Sequence, residues 1–264
     1  MDIVAGTRRN ATTKYVLACD LGQSTDPTAL CALEHTHSFR EHERGGVDQH
    51  EDSFAVRHLQ RLPLGMPYPD QIAEIARIAA RPPLVGCEIV FDATGVGLPV
   101  ANIADTVGMK PTRVIITAGA EQSFVNGAWH VAKASLVSIL DARLHLGELR
   151  FAAELLEAGA MREELRDFKR KVSAAGRFQY EARVGRHDDL VLAVALALWL
   201  CVGRPVMPPP QFSFYSRSAP SSHLGTRAGN GRHVPSPGQP DSAAYDASPR
   251  SFWRMIDDIG EINK

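Results

Sequence analysis

Apolar runs closed by glycine, proline or aspartate follow one another as far as Gly203, and their spacing sorts them into strands and helices. YVLACDLG (15–22) has the pattern of a short buried strand ended by a glycine turn. TALCALEHTH and FAVRHLQRLPL read as two further strands, linked through the charged, histidine-rich stretch Phe39–Asp52. Connections this short favour antiparallel pairing. PDQIAEIARIAA sets Ile72, Ile75, Ile78 and Ala79 at helical period and stops before Pro82-Pro83. PLVGCEIVFDATG reads as a fourth strand, Leu98–Val107 as a helix, and TRVIITAG as a fifth strand. Two helices, Val131–Leu146 and Ala153–Phe168, precede FKRKVS and GRFQYEARV, which flank Ala174-Ala175-Gly176 as a hairpin. HDDLVLAVALALWL (187–200) opens with two acids and continues as a helix with no polar side chain.

Three strands, then helix, strand, helix, strand, then helices predict an α/β domain built on a mixed five-stranded sheet flanked by helices. One side of the sheet is antiparallel and the other parallel through right-handed crossovers. The expected domain spans residues 14–203, after a flexible N-terminus at 1–13. Beyond Gly203, Pro, Ser and Gly dominate, and such a stretch buries too little apolar surface to offset its ordering entropy. Residues 204–250 therefore read as a disordered linker. Apolar residues return in SFWRMIDDIGEI, so 251–264 is a possible docking peptide for a partner, or a segment that packs back on its own domain.

Hydrophobic content of 44% and charged content of 22% are ordinary for a soluble domain. The net charge of −1 means that any nucleic-acid surface must be local. Cys19, Cys31, Cys87 and Cys201 form no CxxC pair, which argues against a zinc site and for a reducing, cytoplasmic compartment. No signal peptide is read at the N-terminus, and the run Leu190–Val202 falls short of the about 20 residues a bilayer needs, so no membrane partner is expected.

The chemistry lies in the acids. Asp20 ends the first strand, Asp92 ends the fourth, and Asp188 and Asp189 open the apolar helix. If strands one and four are parallel neighbours, Asp20 and Asp92 face each other at the carboxyl edge where open α/β sheets place their sites. Crowded carboxylates need a cation. Oxygen-only ligation, with no evident histidine cluster, selects Mg²⁺ or Mn²⁺, and two such ions suit in-line phosphoryl displacement. The expected catalytic and metal-ligating residues are Asp20, Asp92 and Asp189, with Asp188 as the alternative and Asp26 as an outer-shell contributor. Against this stand plainer readings: an Asp at a strand end is commonly a turn residue, and Asp188 before a helix is commonly only its N-cap.

ACDLGQSTDPTAL, VFDATGVGLPV and LRDFKRKVSAAGRFQYEARVGRHDDLVLAVALALW together resemble the nuclease domain of phage terminase large subunits, over about Tyr15–Val202. The resemblance implies a ribonuclease-H-like fold and a metal-dependent endonuclease that cuts concatemeric double-stranded viral DNA during genome packaging. It implies Asp20, Asp92 and the HDDL acid as metal ligands, and Lys133 as a DNA-backbone contact, although a solvated helix lysine is the commoner state. It also implies a packaging ATPase, a small terminase subunit and a portal as partners, in a bacterial host cytoplasm. No G-x-x-x-x-G-K-[ST] occurs, so no ATP-driven translocation is expected of this chain. It reads as a stand-alone nuclease gene, a prophage remnant or a fragment.

The hairpin before HDDL is mostly basic. Lys169, Arg170, Lys171, Arg177, Arg183 and Arg186 are the expected phosphate contacts, giving affinity without sequence readout. Three other functions remain compatible with the residues: a resolvase of the same fold, an actin-like or sugar-kinase-type ATP-binding domain suggested by DLGQST, and an inactive assembly subunit.

Overall fold

The computed structural model describes residues 7–22, 24–42, 46–119, 121–152, 154–167, 169–172, 178–181 and 188–205. The five expected strands are all present. They are β1 (Thr7–Asp20), β2 (Ala29–His42), β3 (Gly46–Arg61), β4 (Glu88–Asp92) and β5 (Thr112–Thr117). Three short strands escape a five-strand reading and extend the sheet to eight: β6 (Ser123–Val125), β7 (Ala128–Ala132) and β8 (Leu149–Phe151). At three to five residues each, they carry too few alternating positions to stand out from the helices beside them. β7 takes the start of the predicted Val131–Leu146 helix, which is α3 over Lys133–His145.

The sheet order is β6-β7-β5-β4-β1-β2-β3-β8. β1, β2 and β3 form the antiparallel side, whereas β1–β4, β4–β5 and β5–β7 pair in parallel. β1 starts at Thr7, inside the stretch expected to be flexible, because Thr7–Thr13 pairs with the far half of β2. Helices α1 (Tyr68–Ala79) and α2 (Gly97–Thr106) match the predicted segments, and α4 (Ala158–Asp167) is the second half of the predicted Ala153–Phe168 helix. The basic hairpin is β9 (Lys169–Val172) against β10 (Phe178–Glu181). The expected linker and docking peptide, residues 206–264, lie outside the described residues.

Strand alternation sends side chains to two separate cores. Val16 and Ala18 of β1 join Cys31, Leu33 and Val56 on one face, under α3, α4 and α5 (Asp189–Leu198). Leu17 and Cys19 join Leu30, Ala32, Ile72 and Ile75 on the other, under α1 and α2. Every residue of α5 is buried, which explains its apolar composition: it is the central helix of the larger core. Among the described residues, no helix is long and apolar enough to cross a membrane.

Candidate metal centre

The parallel register of β1 and β4 runs from Val16↔Glu88 to Cys19↔Phe91, so the next residues, Asp20 and Asp92, end adjacent strands side by side. The two carboxyl groups are close enough for the charge of Asp92 to raise the Asp20 carboxyl. Two glycines let the backbone close around them. A Cβ on Gly97 would lie 2.0 Å from the carbonyl oxygen of Asp92, so only glycine lets α2 start against the end of β4. A Cβ on Gly22 would lie 2.1 Å from the Asp26 carbonyl oxygen, at the turn that follows Asp20. Buried Thr28 and Gln71 hold that turn: Gly22 N–H donates to Thr28 Oγ1 (2.9 Å), and Gln71 Nε2 donates to the Gly22 carbonyl (3.0 Å). Asp26 itself is exposed on the loop, apart from the charges that act most strongly on Asp20.

The other two acids come from the mouth of α5. Asp188 occupies the N-cap position but makes no capping bond with its side chain; it accepts from Lys133 Nζ at 2.5 Å. The capping is done from another helix, where Glu164 of α4 accepts the Val191 N–H at 3.0 Å. Asp189, 5% exposed, accepts from Arg61 Nε at 3.0 Å. Arg61 ends β3 opposite Ala29, whose other neighbour is Asp20, and this register brings the guanidinium to the acid edge. The same guanidinium contacts Glu164 and lies 3.6 Å from Glu157.

The electrostatics report one shared site. Burial, then the charges of Asp92, Asp189 and Asp188, push the Asp20 carboxyl well above the usual range, with Lys133 opposing. Burial also raises Asp92, against the hydrogen bonds from Thr94, whose N–H donates to Asp92 Oδ1 at 2.8 Å. Burial raises Glu164 to about 7 despite the Val191 N–H and Arg61. The four aspartates thus converge on one edge of the sheet. No three of them bring ligand atoms within 4.8 Å of one another among the described residues. Arg61 and Lys133 draw Asp189 and Asp188 to themselves.

Of the expected DNA contacts, Lys133 starts α3 beside Asp188. Lys169, Arg170 and Lys171 lie on β9, in the hairpin whose β10 strand runs against α3. Arg177, Arg183 and Arg186 lie outside the described residues.

The same arrangement of strands occurs in solved structures. The large terminase nuclease of the thermophilic phage G20c, solved with bound magnesium, superposes with a TM-score of 0.51 at 21% identity, covering 70% of this chain and 80% of that one. The same nuclease solved with bound cobalt gives 0.50 at 21% identity over the same shares. This chain has the large-terminase nuclease fold. It is the ribonuclease-H-like architecture, with a mixed sheet between helices. No family model and no curated protein matches the sequence.

Within that large-terminase nuclease fold, two features had no counterpart in the sequence reading. Arg61, Glu157 and Glu164 form a charged bracket behind Asp189, joining residues as far as 128 positions apart. The expectation of no histidine cluster is corrected: His35, His37 and Asp52 bring ligand atoms within 4.8 Å of one another. The H-x-H spacing on a strand was the visible signal.

Proposed function

We propose that this chain is a divalent-metal-dependent endonuclease that hydrolyses double-stranded DNA during phage genome packaging, beside a packaging ATPase, a small terminase subunit and a portal. The observation that carries the reading is the convergence of Asp20, Asp92, Asp188 and Asp189 on one sheet edge, in a fold it shares with a nuclease solved with magnesium.

The donor set fits Mg²⁺ or Mn²⁺. It is all oxygen, and it carries more negative charge than its burial tolerates without a cation. Asp20, Asp92 and Asp189 are the assigned ligands, with Asp188 the alternative for the third. Two bound ions supply an activated water and charge neutralisation at the leaving oxygen. Arg61 fixes the rotamer of Asp189 through Oδ2. Lys133, now paired with Asp188, is assigned to a DNA phosphate, and the basic β9–β10 hairpin to the backbone beyond it.

The test is cleavage of supercoiled and linear plasmid by the purified chain, with Mn²⁺ or with chelator, beside Asp92→Asn. The expected result is nicking and linearisation only with metal, and a loss on the order of 10²-fold or more in the variant. Cutting that survives chelator, or undiminished activity in Asp92→Asn, overturns the reading.

A further inference from the structure

The histidines of strands β2 and β3 have no part in the proposed nuclease. Along β2, His35 and His37 project from the same face, two residues apart. A register shift between Ala32 and Leu33 leaves Arg57 as the extra residue on β3. Before the shift Ala32 faces His58; after it Leu33 faces Val56, His35 faces Phe54 and His37 faces Asp52. The bulge thereby turns Asp52 onto the imidazole face, where an unshifted pairing would set Ser53 opposite His37.

The donors are held in place. The His35 ring is 6% exposed and stacks on Phe54 with ring centres 4.5 Å apart and planes 16° from parallel. His35 Nε2 and His37 Nδ1 lie 2.6 and 2.9 Å from the same oxygen, Asp52 Oδ1. His35 Nδ1 is buried with no hydrogen-bond partner, so the polar interaction of this ring is concentrated on Nε2. Behind His37, His50 Nδ1 lies 3.1 Å from the second ring nitrogen, Nε2.

We propose that His35, His37 and Asp52 form a metal site for a zinc-type transition ion at the end of the sheet remote from the four aspartates. Two imidazoles and one carboxylate are borderline donors, preferred by Zn²⁺ or Co²⁺ over Mg²⁺. Ligands at about 2.0–2.1 Å in a tetrahedron stand about 3.3 Å apart. Side-chain rotation of about half an ångström per donor opens the present 2.6 and 2.9 Å separations that far. On binding, the proton of each ring moves to its other nitrogen: to Nδ1 in His35, and in His37 to Nε2, which donates it to His50 as the second hydrogen bond that fixes a ligating imidazole. Water takes the fourth position. His35 lies six residues along β2 from Ala29, or roughly 20 Å at about 3.4 Å per residue, so the site is separate from the acid edge. Bound metal ties β2 to β3 just before the hairpin tip.

The test titrates the full chain, stripped by chelator and dialysed, with Co²⁺ and follows the visible d–d band of four-coordinate cobalt. One equivalent is expected to develop the band in the wild type and in Asp92→Asn, in the presence of excess Mg²⁺. His37→Gln and Asp52→Asn are expected to bind at least tenfold more weakly. X-ray absorption of the wild-type cobalt complex needs no variant and is expected to count two imidazoles. No band in the folded wild type, a band lost with Asp92→Asn, a band unchanged in His37→Gln, or a cobalt shell without imidazole each overturns the site.

Discussion

The two ends of the β1–β2–β3 ladder hold opposite solutions to the same problem, a carboxylate partly removed from water. At the aspartate end, acids outnumber the two bases Arg61 and Lys133, and burial raises Asp20, Asp92 and Glu164. At the histidine end, burial works against Asp52 too, but hydrogen bonds from His35 and His37 outweigh it and hold that carboxyl below its ordinary value. The histidine end is satisfied from within. The contrast shows that burial alone does not mark a metal site. What marks the aspartate end is the excess of acids over bases, and what marks the histidine end is donor geometry.

Two arginines of β3, four residues apart, sharpen the comparison most. Arg61 supports buried Asp189 and Glu164, so Arg61→Met removes the guanidinium from two buried carboxylates and is expected to cost roughly 3 kcal/mol of stability. Arg57 pairs with Glu34 at 2.9 Å, but its side chain is 53% exposed, so Arg57→Met is expected to cost under about 1 kcal/mol. Urea unfolding of both variants in chelator decides it. Equal losses would break the distinction between a buried bracket and a surface pair.

The smaller effect is in pH. Glu164 rises from 4.5 to about 7, so its stabilising contribution is complete at acid pH and is lost as pH climbs through that window. Asp52 has the opposite sign: its contribution is present above its ordinary value of 3.8 and is lost as pH falls below it. In chelator, Tm is therefore expected to decline between about pH 4.5 and 7, and Glu164→Gln to flatten that decline. A change on the order of 1 kcal/mol corresponds to about 2–4 °C in a domain of this size. A Tm that rises across the window in the wild type would contradict the assignment.

Much of the aspartate edge was legible in the sequence because its geometry follows from local pattern. LACD and IVFD are strands that end in acids, and parallel pairing of adjacent strands is enough to bring Asp20 beside Asp92. The apolar run after Asp189 likewise announces a core helix, and the core fixes where its mouth points. Arg61 was not legible as the partner of Asp189, since nothing local links positions 128 residues apart. Glu164 was equally hidden: a helix usually caps itself from its own preceding residue, and here Asp188 sits in that place while another helix does the capping. The histidine cluster depends on a single bulge, and moving the register by one residue would send Asp52 to the opposite face. Periodicity detects strands; it does not detect a bulge.

The most direct measurement of the central claim is an anomalous difference map from crystals of the chain soaked in Mn²⁺. Density among the carboxylates of Asp20, Asp92 and the mouth of α5 is the predicted result. Saturating Mn²⁺ that gives density only elsewhere would contradict it.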